Sequence, residues 1–174
     1  TIAAEDFPDG KAFYALRVRD MATTDLTPDQ IHEIGLSEVA RIRAEMEKIR
    51  EQVKFKGDLP AFFKFLRSDP QFYFKTGDEL LAAYRVLAKR MDPELVKLFG
   101  RMPRTPYGVA PVPEMEAPNQ TTAYYRSPAE EGSRAGYFYA NLYKPETRPK
   151  WEMAALTVHE AVPGHHFQLA LQQE

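Results

Sequence analysis

Five prolines, Pro103, Pro106, Pro111, Pro113 and Pro118, fall within sixteen residues of this chain. Proline locks φ near −65° and donates no backbone hydrogen bond, so no helix crosses such a stretch. The chain is thereby divided into a first three-fifths that reads as helix and a remainder that must be built otherwise.

The first part carries clear helix signals. Around Gly10 to Met21 the apolar residues Phe13, Leu16, Val18 and Met21 allow a short helix. Thr27-Pro28-Asp29-Gln30 is a helix start, with Thr as N-cap, Pro in the first turn and Gln reaching back. Behind it Ile31, Gly35, Val39, Ile42, Met46 and Ile49 step by four and three into one stripe. Glu38, Arg41, Arg43, Glu45 and Lys48 occupy the other face, so the spacing predicts a long amphipathic helix packed on one side. A shorter helix is expected over Leu59 to Arg67, broken by Asp69-Pro70. Thr76-Gly77-Asp78-Glu79 opens another, with Leu80, Leu81, Tyr84, Leu87 and Met91 on one side. Asp92-Pro93 then caps a last short turn ending at Gly100.

From 101 to 118 the chain is expected to be extended or looped. Thr122 to Arg126 and Tyr137 to Leu142 alternate aromatic and small residues and read as two strands. Ser127 to Gly136, with Pro128 and Gly132, suits the loop between them. Pro149 opens a final helix from about Trp151. The expected fold class is mainly α with a small antiparallel β-sheet, an α+β arrangement. It comprises a helical part (1–100), a Pro-rich segment with the sheet (101–150) and a last helix (151–174), all within one incomplete domain of a longer protein. A start on Thr1 and an end on Glu174 agree with that expectation. A net charge of −2 provides no field to draw nucleic acid, no cysteine is present for a disulfide or thiolate metal site, and no apolar run is long enough to span a membrane.

The last helix carries the chemistry. His159-Glu160-Ala161-Val162-Pro163-Gly164-His165-His166 holds three of the four histidines of the protein in eight residues. Imidazole is the commonest zinc ligand, and an adjacent carboxylate can take a proton from water that a metal activates. On an undisturbed helix the partners fail: the position four after His159 is Pro163, and His165 lies about 120° around the axis. His166 returns to the same face but about 10 Å further along. Pro163-Gly164 supplies a disturbance. If it is absorbed as a bulge, His165 moves to the place one turn after His159, and the motif reduces to His-Glu-Ala-Val-His. His159 and His165 are therefore the expected Zn2+ ligands and Glu160 the general base, with His166 beside them or against substrate. His32 has no ligand-type partner in register except Glu33 and reads as a surface residue.

An extended peptide ligand commonly pairs with an edge strand through backbone hydrogen bonds. The strand from Tyr137 is the candidate, and its period of two places Tyr137, Tyr139 and Asn141 on one face as expected substrate contacts. The alternative is that these are half-buried sheet residues. Tyr124 and Tyr125 are open to either use.

The motif, followed by Phe167-Gln168, resembles the hallmark of a bacterial family known as domain of unknown function 885. That family is grouped with zinc metallopeptidases of the two-histidine-plus-glutamate kind. Gly10 to Tyr14, Leu26-Thr27-Pro28 with Ile31-His32-Glu33-Ile34-Gly35, and Gly136 to Leu142 also resemble family segments. The resemblance implies a mostly helical metallopeptidase acting on a peptide substrate, with a small sheet beside the zinc helix. It further implies a missing N-terminal helical part, and a missing C-terminal half whose helix bears the glutamate that completes the zinc shell. Glu174, the one acid after the motif, is too close on the same helix to replace it. The chain alone is then expected to be inactive, and a periplasmic or lipid-anchored envelope location is implied. Two other expectations stand beside this one: a degenerate fold that binds peptides or proteins without chemistry, or a zinc hydrolase of another amide or ester.

Overall fold

The computed structural model describes residues 3–174. The chain separates into two compact units, Thr1–Phe63 and Lys64–Glu174. It is mainly helical with one small sheet, as its patterning predicts. Among the described residues, no helix is long and apolar enough to cross a membrane.

The first unit contains α1 (Gly10–Ala22) and α2 (Pro28–Gln52). α2 begins with the expected capping box: Gln30 N–H donates to Thr27 Oγ1 at 3.2 Å and Thr27 N–H to Gln30 Oε1 at 2.8 Å. Two backbone donors that no helical carbonyl can satisfy are thus paired. Arg41 bridges Glu38 and Glu45 along the polar face. The apolar stripe differs from expectation: no residue of α2 is buried, and Val39 and Ile49 are more than half exposed. Periodicity records which face is apolar and does not say what covers it. Beyond α2, Arg50 donates to the Gly57 carbonyl at 2.7 Å, folding the turn that precedes α3 (Leu59–Ser68).

The second unit is built on α4 (Gly77–Leu95), β1 (Tyr107–Pro111), β2 (Ala123–Arg126), β3 (Gly136–Ala140), α5 (Met153–Glu160) and α6 (Gly164–Gln173). α4 starts on a second capping box at Thr76 and Glu79. It also runs through Pro93 instead of stopping at Asp92. Pro93 forgoes the bond that a backbone N–H would make to the turn before it, and tertiary contacts hold the last turn in place. Asp92 accepts the Tyr107 hydroxyl at 2.7 Å, and Leu95 is buried with Val162 and Phe167.

The sheet has the order β1-β3-β2 and is mixed, not purely antiparallel. β2 and β3 form the expected antiparallel hairpin, with Tyr125 opposite Phe138. β1 lies inside the Pro-rich segment and pairs in parallel with β3, Val109 opposite Phe138. Pro106 and Pro111 bracket this strand at the sheet edge, a place where a missing N–H is tolerated. Parallel pairing is a long-range event that the local composition of the segment does not encode. One sheet face packs on the helices: Phe138 and Ala140 are fully buried with Leu80 and Tyr84 of α4 and Met153 of α5. Tyr84 meets Phe138 edge-on at 5.2 Å.

Candidate metal centre

α5 ends at Glu160 because its backbone cannot continue. Ala161 takes φ −103° and ψ −102°, outside the helical region, and Pro163 has no N–H to give. The chain then re-enters helix at Gly164. Between the two helices His166 N–H donates to the Ala161 carbonyl at 3.1 Å, five residues back, which is the wide turn of a bulge. Gly164 is required at this point. A Cβ there would stand 1.9 Å from the His159 carbonyl oxygen and 2.4 Å from that of Val158. The Pro-Gly pair therefore allows α6 to start directly against the end of α5.

That approach brings His159, Glu160 and His165 together, with one donor atom from each lying within 4.8 Å of the others. The two imidazoles meet edge to face, centroids 4.8 Å apart at 90°. Glu160 is buried, and its Oε2 lies 3.8 Å from Nε2 of His165. Two nitrogens on a tetrahedral zinc sit about 3.3 Å apart, given bonds of about 2.0–2.1 Å. The donor atoms, all within 4.8 Å of one another, approach that spacing, and His159 is exposed. Two imidazoles supply nitrogen donors that suit zinc, and the Glu160 carboxylate stands beside them. Among the described residues no further histidine or acid joins the group. Glu174 is engaged elsewhere: its carboxylate accepts the backbone N–H groups of Arg104 and Thr105 and pairs with the Arg104 side chain. Desolvation works against its ionisation, but those donors hold its carboxyl below the ordinary range.

His166 points away from the group. It is buried, its Nδ1 lies 2.8 Å from the Tyr125 hydroxyl, and its ring packs against Tyr107 at 4.9 Å. Burial pushes its pKa down, against the opposing pull of the Thr105 backbone, Asp92 and Glu174. The geometry thus groups His165, and not His166, with His159.

The residues expected to contact substrate are placed differently. β3 is the central strand, so both its backbone edges are already used and no peptide can pair with it. Phe138 and Ala140 face the helices, which puts Tyr137 and Tyr139 on the opposite side of the sheet. There Tyr139 stacks on Tyr124 at 5.0 Å, and the Tyr137 ring lies across Gly108. Asn141 falls beyond the strand and is 1% exposed. Its Nδ2 donates to the carbonyls of Ala117, Gln120 and Thr121, and its Oδ1 accepts from Tyr143 N–H. This is a clamp on the loop before β2 and offers nothing to a cleft. Asn141→Ala should lower stability by about 3 kcal/mol, since buried carbonyls lose their donors. Thermal unfolding measures this, and an unchanged midpoint would remove the clamp.

The residue that does reach the site from the sheet is Tyr125. Its ring lies 6.2 Å from that of His165, nearly parallel at 24°. Burial raises its hydroxyl to about 12, so it remains an O–H donor at neutral pH. Adjacent tyrosines on a strand face opposite ways, and only the register with β3 decides which one sees the helices.

The chain matches, over residues 1–174, the family model described as "Bacterial protein of unknown function (DUF885)". A crystal structure described as "the putative lipoprotein from Colwellia psychrerythraea" is similar at 31% identity and a TM-score of 0.85. The likeness covers 97% of this chain, which spans 30% of the length of that one. No curated protein matches. With the family model matching from end to end and a solved structure of the same fold beside it, this chain belongs to the bacterial DUF885 family.

Proposed function

We propose that this chain carries the metal-binding half of a zinc-dependent peptidase site. The observation that carries this reading is the grouping of His159, Glu160 and His165 across a helix break where a Cβ on residue 164 would clash with the backbone of α5. Zinc, when bound, supplies a Lewis acid that polarises the scissile carbonyl and makes water a nucleophile near neutral pH. His159 and His165 hold the ion through neutral ring nitrogens. Glu160 accepts the proton of the attacking water and returns it to the leaving amine. Its place at the buried end of α5 keeps bulk water from competing with the substrate for that proton. A third protein ligand comes from outside these residues, since Glu174 is bound to the 104–105 backbone. The lipoprotein description of the Colwellia relative supports an envelope location for the activity.

Full-length protein prepared without chelator should contain one zinc per chain and hydrolyse peptides. His165→Ala should lose the metal and at least about 100-fold of the turnover, because an open zinc site needs all its ligands. Metal analysis and a peptide panel with non-peptide amides alongside provide the check. Absence of stoichiometric zinc would favour a binding module, and cleavage of only the non-peptide amides would change the substrate class.

A further inference from the structure

Two side chains at the site take no part in the chemistry above, and they bond to each other. Nδ1 of His166 and the hydroxyl of Tyr125 are 2.8 Å apart. The hydroxyl donates to Nδ1 when the ring proton sits on Nε2 and accepts from it in the other tautomer, so the two groups are paired in either case. Tyr107 packs on the His166 ring from β1, and Tyr107 is itself bonded to Asp92 of α4. His166 is thus held by neighbours from several elements before Tyr125 reaches it.

β3 is shaped around this bond. A Cβ on Gly136 would fall 1.8 Å from the Tyr125 hydroxyl oxygen and 3.2 Å from His166 Nδ1. Any other residue there would occupy the space the bond passes through. With the hydroxyl held, the phenol ring stands beside the His165 imidazole. The His165 side chain is 38% exposed, so it has the rotational freedom of a surface ring unless something limits it.

We propose that Tyr125 and His166 form a positioning pair for the metal centre, in which His166 pins the Tyr125 hydroxyl so that the phenol ring fixes the orientation of His165. This inference rests on the zinc reading of the site. A ligand ring already oriented loses less freedom when it binds the ion, and groups behind a ligand commonly change metal affinity by about 10- to 100-fold. Tyr125 is here a positioning residue, acting through His165 and not on substrate.

The test uses full-length protein, a competitor titration for zinc, and the visible absorption spectrum of the Co2+-substituted form. Tyr125→Phe keeps the ring and removes the pin, and should raise the zinc Kd about 10-fold and shift the Co2+ bands. His166→Asn should do the same, and the double variant should be no worse than the weaker single, because the two act as a unit. If His166→Asn does not fold, Tyr125→Phe decides the matter alone, with Gly136→Ala expected to displace the hydroxyl to similar effect. A Tyr125→Phe protein with wild-type zinc Kd and Co2+ spectrum overturns the pair and leaves the zinc reading intact. A lower melting temperature without a spectral change marks a purely structural bond and also overturns it. Wild-type protein that binds no zinc overturns both together.

Discussion

If the proposed zinc peptidase reading holds, exchange of Glu160 for glutamine is expected to leave zinc bound and to cut turnover by about 10³-fold, within the range a positioned general base contributes. Glutamine matches glutamate in shape, so the end of α5 and its burial are undisturbed. It cannot take a proton, and attack by water then stops at its first step. In the proposed site His159 and His165 hold the ion and Glu160 lies 3.8 Å from His165, so on that reading metal content and activity should separate. The comparison is kcat of the full-length Glu160→Gln protein beside its zinc content. Turnover within a factor of a few of wild type would remove Glu160 from the mechanism.

The second large effect falls on a residue with no side chain. Gly164→Ala should destabilise the second unit by about 3 kcal/mol and raise the zinc Kd at least about 10-fold. The added methyl would meet the carbonyls of His159 and Val158 at 1.9 and 2.4 Å, and both are backbone atoms that no rotamer change can move. α6 must slide off the end of α5, and His165 travels with it away from His159. Gly35→Ala is the matched control. Nothing lies within 4 Å of its Cβ position in the middle of α2, so alanine there should gain about 0.5–1 kcal/mol through helix propensity. Calorimetric unfolding of the two variants, with zinc titration, makes the comparison. A Gly164→Ala protein as stable as wild type would show that the helix break does not depend on close backbone contact.

Helices were legible wherever a cap and a period of 3.6 agreed. Thr27 and Thr76 open α2 and α4 through side-chain bonds that depend on residues three positions apart, information that is local in the chain. The hairpin of β2 and β3 was readable because two alternating segments adjacent in the chain, joined by a loop rich in Pro and Gly, leave few other pairings. β1 was not legible. Its identity as a strand comes from pairing with residues nearly thirty positions away, and its prolines argue for a loop when viewed alone. The expectation that Tyr137, Tyr139 and Asn141 line a cleft requires their strand to be an edge. Once β1 adds to its free side, β3 is central and that premise fails. The order of strands in a sheet depends on which hydrophobic faces find each other, and no local pattern carries it.

The sequence by itself determined the helical start of the chain, its change of character at the proline cluster, and the crowding of His159, Glu160, His165 and His166 around a Pro-Gly break. Each follows from steric or hydrogen-bonding rules that act within a few residues. The tertiary structure alone decided that His166 turns inward to Tyr125, that β3 lies between two partners, and that Asn141 closes a loop. Those outcomes depend on contacts across roughly twenty to forty positions, where the geometry is set by packing and strand register and not by the identity of neighbouring residues.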